Sequence, residues 1–158
     1  LLAKIVGATI LSMLQAYVFL GMAALVGYYT TLAGMIWIAP AMLLSGLMLG
    51  SIGLLITVYT RQIENFAGMM NFVVFPMFLM SSALYPLWKL EESGASLLHD
   101  IALFNPFTHA VELIRFAADG QMNWTSCAAV VGVTIVAFTL AAHGYDPNRG
   151  SIRMIKRG

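Results

Sequence analysis

Long uncharged runs, separated by short polar breaks, are the main pattern of this chain. Residues 5–60 contain no Asp, Glu, Lys or Arg, although the run Tyr28-Tyr29-Thr30-Thr31 interrupts them with hydroxyl groups that suit a membrane interface. A helix that crosses a bilayer needs about 20 apolar residues, since each residue rises about 1.5 Å through a hydrocarbon core about 30 Å thick. The pattern therefore predicts four spans, at about residues 5–27, 32–58, 66–84 and 124–142.

A charged patch at Lys89-Leu-Glu-Glu-Ser-Gly94 follows the third predicted span, and the chain turns apolar again at Leu97-Leu98. The segment that follows is too short to cross a bilayer, while its large apolar residues, such as Phe104 and Phe107, argue against an exposed loop. We therefore predict an external re-entrant helical segment at about residues 95–118, which enters the outer face of the membrane and returns.

The composition supports one fold class. Hydrophobic residues make up 60% of the chain and charged residues 9%, whereas about a quarter of the residues of an average soluble protein are charged. A soluble domain cannot keep so long an uncharged stretch in water, and a β-barrel would show alternating rather than blocked hydrophobicity. We predict an all-α polytopic membrane bundle, with residues 1–158 forming one transmembrane domain of four transmembrane helices and the re-entrant segment.

The distribution of cations predicts the orientation, because positively charged residues collect on the cytoplasmic side of membranes. With four spans, both ends of the chain and the break at Arg61 share one side. That side carries six of the eight Lys and Arg residues, namely Lys4, Arg61, Arg149, Arg153, Lys156 and Arg157. The opposite side carries five of the seven acids, namely Glu91, Glu92, Asp100, Glu112 and Asp119. We expect both ends to be cytoplasmic, with residues 143–158 as a cytoplasmic tail.

Residues suited to catalysis or metal binding are scattered along the chain. His99, His109 and His143 have no Cys or His at ligand spacing, and Cys127 stands alone in an apolar run. His109 and Glu112 lie one helical turn apart but are too few for a metal site. The chain has no glycine-rich phosphate loop, and no basic cluster before its last ten residues. We therefore predict no catalysis, cofactor or nucleic-acid partner for this chain.

The predicted spans hold no carboxylate or cation near their centres. A transporter coupled to protons or sodium usually needs such a group, so a partner would supply the energy for moving a solute. The polar residues most able to line a pathway are Gln15, Asn71, Ser81 and Ser82. Gly46 and Gly50 form a small-xxx-small pair that permits close helix packing, either within one subunit or across a dimer.

Two stretches carry a family resemblance. They are Asn71-Phe-Val-Val-Phe-Pro-Met-Phe-Leu-Met-Ser-Ser-Ala-Leu-Tyr-Pro86 and Leu103-Phe-Asn-Pro-Phe-Thr-His-Ala-Val-Glu-Leu-Ile-Arg115. They resemble the permease subunits of ABC-2 type transporters, most of all the group of nodulation-factor and daunorubicin-type export permeases. In that family, a Pro-containing span is followed by external re-entrant helices. A motif Asn-Pro-hydrophobic-Thr-x-Ala-x-Glu/Asp-x-x-Arg then leads into the last span, and residues 105–115 match it throughout.

The resemblance implies an ATP-binding cassette exporter, whose permease subunits form a homodimer in the bacterial cytoplasmic membrane while a separate ATPase subunit hydrolyses ATP. It implies six spans, so that two spans and the segment that contacts the ATPase would precede Leu1. It also implies a gate or lid in the external segment. The candidate gate residues are Asn105, Pro106, Thr108, Glu112 and Arg115.

Two other classes of function stay open. A passive channel or a membrane scaffold would work without an ATPase, and ATP dependence of transport separates these from an exporter. A membrane-embedded enzyme would need a group of neighbouring polar residues, which the sequence does not offer, and substitution of His99 or His109 would test that class.

Overall fold

Seven α-helices make up the part of the chain that the structure, a computed structural model, describes: residues 2–27, 31–60, 63–92, 94 and 96–145. They are α1 (Leu2–Leu25), α2 (Leu32–Tyr59), α3 (Ile63–Leu79), α4 (Leu87–Glu92), α5 (Ser96–Phe104), α6 (Pro106–Ala118) and α7 (Trp124–Gly144). These ranges contain no β-strand, which confirms the all-helical prediction for the described residues. The predicted tail beyond Tyr145 and the cation Arg61 lie outside them.

Three of the described helices are long and apolar enough to cross a membrane: α1, the Ala33–Tyr59 part of α2, and α7. In contrast, α3 has 17 residues, which corresponds to about 25 Å of helix, and its apolar part is Ala67–Leu79. The third predicted span, over residues 66–84, is therefore not confirmed as one continuous helix. α3 ends at Leu79, and the side chains of Ser81 and Asn105 bind carbonyl groups of its last turn.

α2 is the central element, since it packs against α1, α3, α6 and α7. A Cβ atom built on Gly144 would lie 2.8 Å from the Val58 Cγ1 atom, near the end of α2. A Cβ atom on Gly120, just before α7, would lie 3.7 Å from the Ala33 Cβ atom at the start of α2. α7 therefore runs parallel to α2 along its whole length.

α1 runs antiparallel to α2 and approaches it most closely at two glycines. A side chain on Gly46 would overlap the Thr9 Cγ2 methyl group, and a Cβ atom on Gly50 would lie 2.5 Å from the Ile5 Cγ2 atom. Only a glycine leaves room for the facing helix at such positions. The small-xxx-small pair therefore serves packing within the chain, which is one of the two uses that the sequence permits.

The core lies between α2, α6 and α7, and α6 contributes three residues to it that recur at spacings of three and four. Such a spacing places side chains on one face of a helix. The buried residues of this core are Ile38, Ala41, Met48, Ala110, Leu113, Ala117 and Val130. Because two of the three α6 residues are alanines, α6 can approach α2 closely.

Candidate functional site

α3 ends before a turn that contains Ser81 and Ser82, both of which are buried. The last carbonyl groups of a helix have no partner within it, and here two side chains bind them. The Ser81 Oγ atom donates to the Phe78 carbonyl oxygen at 2.6 Å, and the Asn105 Nδ2 atom donates to the Met77 carbonyl oxygen at 2.6 Å. These bonds satisfy two carbonyl groups of the last turn of α3, those of Met77 and Phe78, without a further helical turn.

Asn105 joins the end of α3 to the start of α6. Its Oδ1 atom accepts from the Phe107 N–H at 3.0 Å as the N-cap of α6, while its Nδ2 atom binds Met77. An Asn side chain carries an acceptor and two donors, so this one residue caps two helices. Pro106 suits the first position of α6, because it lacks an N–H that would have no partner there.

α6 presents a polar stripe, formed by Thr108, Glu112 and Arg115, to the turn after α3. The Thr108 Oγ1 atom accepts from the Ser82 N–H at 3.3 Å, and the Arg115 guanidinium donates to the Ser82 carbonyl oxygen at 2.9 Å. Glu112 lies between these two residues on the same face, since residues three or four apart share a face of a helix. The stripe therefore holds both backbone groups of Ser82.

We call the contacts between residues 77–82 and residues 105–115 the α3–α6 clamp. An aromatic contact also joins its two sides: the ring centroids of Phe78 and Phe107 lie 5.9 Å apart, and the rings cross at 86°. Such an edge-to-face arrangement is favourable. The clamp thus brings together the two stretches of sequence that carry the family resemblance.

The clamp lies level with the middle of α2. The Ser45 Oγ atom, halfway along α2, lies 3.5 Å from the carbonyl oxygen of Ala110, one turn into α6. α3 runs antiparallel to α2, because α3 begins four residues after α2 ends, and a Cβ atom on Gly53, six residues before that end, would lie 3.6 Å from the Met70 Cε atom, seven residues into α3. α3 therefore reaches the level of the clamp from one end of α2, and α6 extends from that level to the other end.

The ion pair of Glu112 and Arg115 is the charged part of the clamp. The two side chains meet at 2.6 Å, and 10% of the Glu112 side chain is exposed against 36% of the Arg115 side chain. A buried carboxylate without a partner would be costly, so Glu112 depends on Arg115. The planar guanidinium has enough donors to bind Glu112 and the Ser82 carbonyl oxygen at once.

The structure brings the five candidate gate residues together with Ser81 and Ser82. It does not bring them to Gln15 or Asn71, which are exposed on α1 and α3. Neither of these two side chains makes a hydrogen bond to a described residue. Among the described helices α1 packs against α2 alone, so Gln15 lies on a helix that does not contact the clamp.

The histidines of the described residues have separate partners. The His109 Nε2 atom lies 2.9 Å from the Leu103 carbonyl oxygen, and the His99 Nδ1 atom lies 3.6 Å from the Asp100 Oδ1 atom. Glu112 binds Arg115, so the His109–Glu112 pair does not form a joint site. No group of three or more His, Cys, Asp or Glu among the described residues could hold a metal ion.

Sequence reasoning missed the backbone partners of the clamp, namely the carbonyl groups of Met77 and Ser82. Two signals were present in the sequence. An Asn-Pro pair at the start of an apolar periodic segment indicates an N-cap. The stripe of Thr108, Glu112 and Arg115 also lies on the helix face opposite to the apolar core residues of α6, which indicates an amphipathic helix whose polar face brings these three side chains together.

Comparison with known proteins gives a family match. A family model described as "ABC-2 type transporter" matches residues 1–118, which include both sides of the clamp. Nodulation protein J of Rhizobium leguminosarum bv. viciae is 30% identical over 99 residues, which cover 63% of this chain and 36% of that protein. Nodulation protein J of Rhizobium leguminosarum bv. trifolii is 26% identical over 87 residues, which cover 55% of this chain and 32% of that protein. The match thus spans about a third of the length of these relatives. No solved structure matches the chain.

Proposed function

Because this chain belongs to the ABC-2 type transporter family, we propose that it is the membrane-spanning part of a permease subunit of an ATP-binding cassette exporter. The permease moves a substrate across the cytoplasmic membrane, and a separate subunit hydrolyses the ATP. The similarity to two proteins named nodulation protein J supports this proposal. The three apolar helices of spanning length among the described residues support a multi-pass membrane subunit.

In the proposed topology the chain crosses the membrane four times, and both of its ends are cytoplasmic. α1, α2 and α7 are full spans, and α3 with residues 80–86 makes the remaining crossing. α5 and α6 form the external re-entrant segment, at about residues 95–118. The level of the clamp supports this arrangement, since α6 begins level with the middle of α2 and runs from there towards the start of α2. The distribution of cations supports the orientation.

The α3–α6 clamp is the observation that carries the gate proposal. Non-helical backbone at the depth of a bilayer is tolerated only where protein or water satisfies its polar groups, and the clamp satisfies the turn after α3. Side chains of a neighbouring helix can release such a turn without breaking the hydrogen bonds of either helix. In our proposal, movement of the ATPase subunits tilts the spans, the clamp opens, and a path forms between two permease copies.

The charge pattern of the spans supports an energy source outside this chain. α1 contains Lys4 near its start, and the sequences of α2 and α7 contain no Asp, Glu, Lys or Arg. These three helices therefore lack the buried charge that usually couples transport to an ion gradient, and the buried Glu112 of α6 is paired with Arg115. A partner ATPase, which the family membership implies, would supply the energy instead.

The candidate pathway residues are part of the same proposal. Asn71 is exposed on α3, on the cytoplasmic side of the clamp in the proposed topology. Ser81 and Ser82 are buried in the clamp and would face the path when the clamp opens. Gln15 is exposed on α1 and would provide a further polar group along the path.

Purification of the intact gene product from the membranes of its own host tests the exporter proposal. A tag after Gly158 and a mild detergent keep any partner attached. We expect an ATP-binding subunit in equal amount and vanadate-sensitive ATP hydrolysis. A homo-oligomer without an ATPase would remove the exporter proposal, and the chain would then be a passive channel or a membrane scaffold.

The gate proposal has its own test, the double substitution Asn105→Ala with Pro106→Ala. It removes the bond to Met77 and the N-cap of α6, so we expect ATP turnover by the complex in lipid vesicles to fall while the protein stays in the membrane. Asn123→Ala is the matched control, because Asn123 caps α7 by accepting from the Ser126 N–H at 3.1 Å and is not part of the clamp. Wild-type turnover by the double variant would remove the gate proposal.

A further inference from the structure

The two serines of the turn after α3 differ in how their hydroxyl groups are satisfied. Both residues are buried, with 2% of Ser81 and 0% of Ser82 exposed. The Ser81 Oγ atom donates to the Phe78 carbonyl oxygen at 2.6 Å and accepts from the Ala83 N–H at 3.2 Å. The Ser82 Oγ atom has no hydrogen-bond partner among the described residues, although α6 binds both backbone groups of Ser82.

A buried hydroxyl group without a partner destabilises the conformation that contains it, because the group has given up its bonds to water. An alanine at position 82 would occupy almost the same volume without this penalty. The large majority of buried polar side-chain atoms do have a partner. The exception at Ser82 therefore favours any other conformation in which its hydroxyl group finds an acceptor.

Glu112 is the acceptor that α6 can offer to this hydroxyl group. Thr108 and Arg115 bind the N–H and the carbonyl oxygen of Ser82, and Glu112 lies between them on the same face of α6. Its Oε1 atom accepts from Arg115 at 2.6 Å, but a carboxylate has about four lone-pair sites. Glu112 can therefore accept a second donor while it keeps its ion pair.

We propose that Ser82 is a positioning residue of the transport cycle, whose hydroxyl group donates to Glu112 when the α3–α6 clamp opens. The turn shifts along the polar stripe of α6, so that the Ser82 backbone leaves Thr108 and Arg115 while the Oγ atom reaches the carboxylate. A hydrogen bond to a charged acceptor is stronger than a neutral one, so it offsets part of the lost bonds. The end of α3 then moves between two arrangements, and in each of them Ser82 is hydrogen-bonded to α6. This inference rests on the proposed function, since it assumes that the clamp opens during transport.

The test compares Ser82→Ala with Ser81→Ala in the full-length protein together with its ATPase, in vesicles of phosphatidylethanolamine and phosphatidylglycerol. We expect Ser82→Ala to keep or raise the thermal midpoint and Ser81→Ala to lower it by several degrees. Ser82→Ala should reduce the maximal rate of ATP hydrolysis about tenfold, the effect of one lost hydrogen bond to a charged group. The KM for ATP should not change, because ATP binds to the other subunit.

A second comparison identifies the acceptor. Glu112→Gln keeps the shape of the side chain and removes its charge, so Ser82→Ala should have a smaller effect on ATP turnover in that background than alone. An equal effect in both backgrounds would show that Ser82 does not act through Glu112, and would overturn the assignment.

Two other results would overturn the proposal. Equal loss of thermal stability in Ser82→Ala and Ser81→Ala would show that the Ser82 hydroxyl group is already satisfied before the clamp opens. Wild-type turnover by Ser82→Ala would show that the hydroxyl group has no part in the cycle. Failure of the proposed function is distinguishable, because the wild-type protein itself would then lack an ATPase or ATP turnover, and that result removes both proposals.

Discussion

The α1–α2 contact and the α3–α6 clamp join helices in opposite ways. At Gly46 and Gly50 the side chains of Thr9 and Ile5 rest directly on the backbone of α2. In the clamp, side chains of α6 bind both backbone groups of Ser82 in a non-helical turn. Two helices that are packed so closely cannot slide past each other without steric clashes, whereas hydrogen bonds to a turn can be exchanged for other hydrogen bonds. The first contact therefore suits a fixed scaffold, and the second suits a moving part.

This difference matters in a bilayer, because lipid tails are as apolar as leucine and provide no hydrophobic force between helices. Close packing and interhelical hydrogen bonds must hold the bundle together instead. The chain uses close packing between α1 and α2 and polar bonds at the end of α3. Substitutions that remove one kind of contact and keep the other can test the division.

The largest effect is expected for Arg115→Met, which leaves the Glu112 carboxylate buried without its cation. Breaking such a pair should lower the free energy of unfolding by about 3 kcal/mol, as measured by denaturation of the full-length protein in mixed detergent micelles. Lys89→Met is the matched control, since Lys89 is an exposed cation on α4, and it should change stability by less than about 0.5 kcal/mol.

Adding Glu112→Gln to Arg115→Met should recover part of the loss, because the buried charge is then gone. No recovery would mean that the bond from Arg115 to the Ser82 carbonyl oxygen, rather than the ion pair, stabilises the clamp.

Gly46→Val should have an intermediate effect, a loss of about 2 kcal/mol in the free energy of unfolding. The new side chain overlaps Thr9 and forces α1 away from α2. Gly21→Val on α1 is the control with the same change in helix propensity, because a Cβ atom on Gly21 meets nothing within 4 Å. Equal losses in the two variants would show that α1 can move away from α2 at no cost in stability. The α1–α2 contact would then be no more rigid than the hydrogen-bonded clamp.

Ser45→Ala should have the smallest effect, below about 0.5 kcal/mol in the free energy of unfolding. The Ser45 Oγ atom and the Ala110 carbonyl oxygen are 3.5 Å apart, which is long for a hydrogen bond. The contact of α6 with α2 would then depend on packing of Ala110, Leu113 and Ala117. A loss above about 1 kcal/mol in the free energy of unfolding would instead show that Ser45 makes a stabilising hydrogen bond, like the polar contacts of the clamp.

The apolar pattern predicted α1, α2 and α7 well, because a long apolar run in a bilayer must satisfy its backbone within itself and so becomes a helix. The same argument extended the third span to residue 84, whereas α3 ends at Leu79. Ser81 and Asn105 bind the carbonyl groups of its last turn, and Asn105 comes from a distant part of the chain. A pattern read along the chain therefore could not show this end.

The candidate gate residues could be named from the sequence because they form a motif, whereas their hydrogen-bond partners could not. The sequence placed Glu112 beside Arg115 at a spacing of three, which a helix brings together. Nothing in the sequence showed that Arg115 also binds Ser82, or that α6 lies between the core and the turn after α3.

By itself, the sequence determined the membrane class, the apolar helices and the stretches that carry the family resemblance, because these depend on side-chain chemistry along the chain. Only the tertiary structure decided where α3 stops, which of two neighbouring serines has a partner, and which use the pair Gly46 and Gly50 serves. The physical reason is that these features depend on backbone atoms. Every residue has the same carbonyl group, so the residue that accepts a bond is determined by which helices meet.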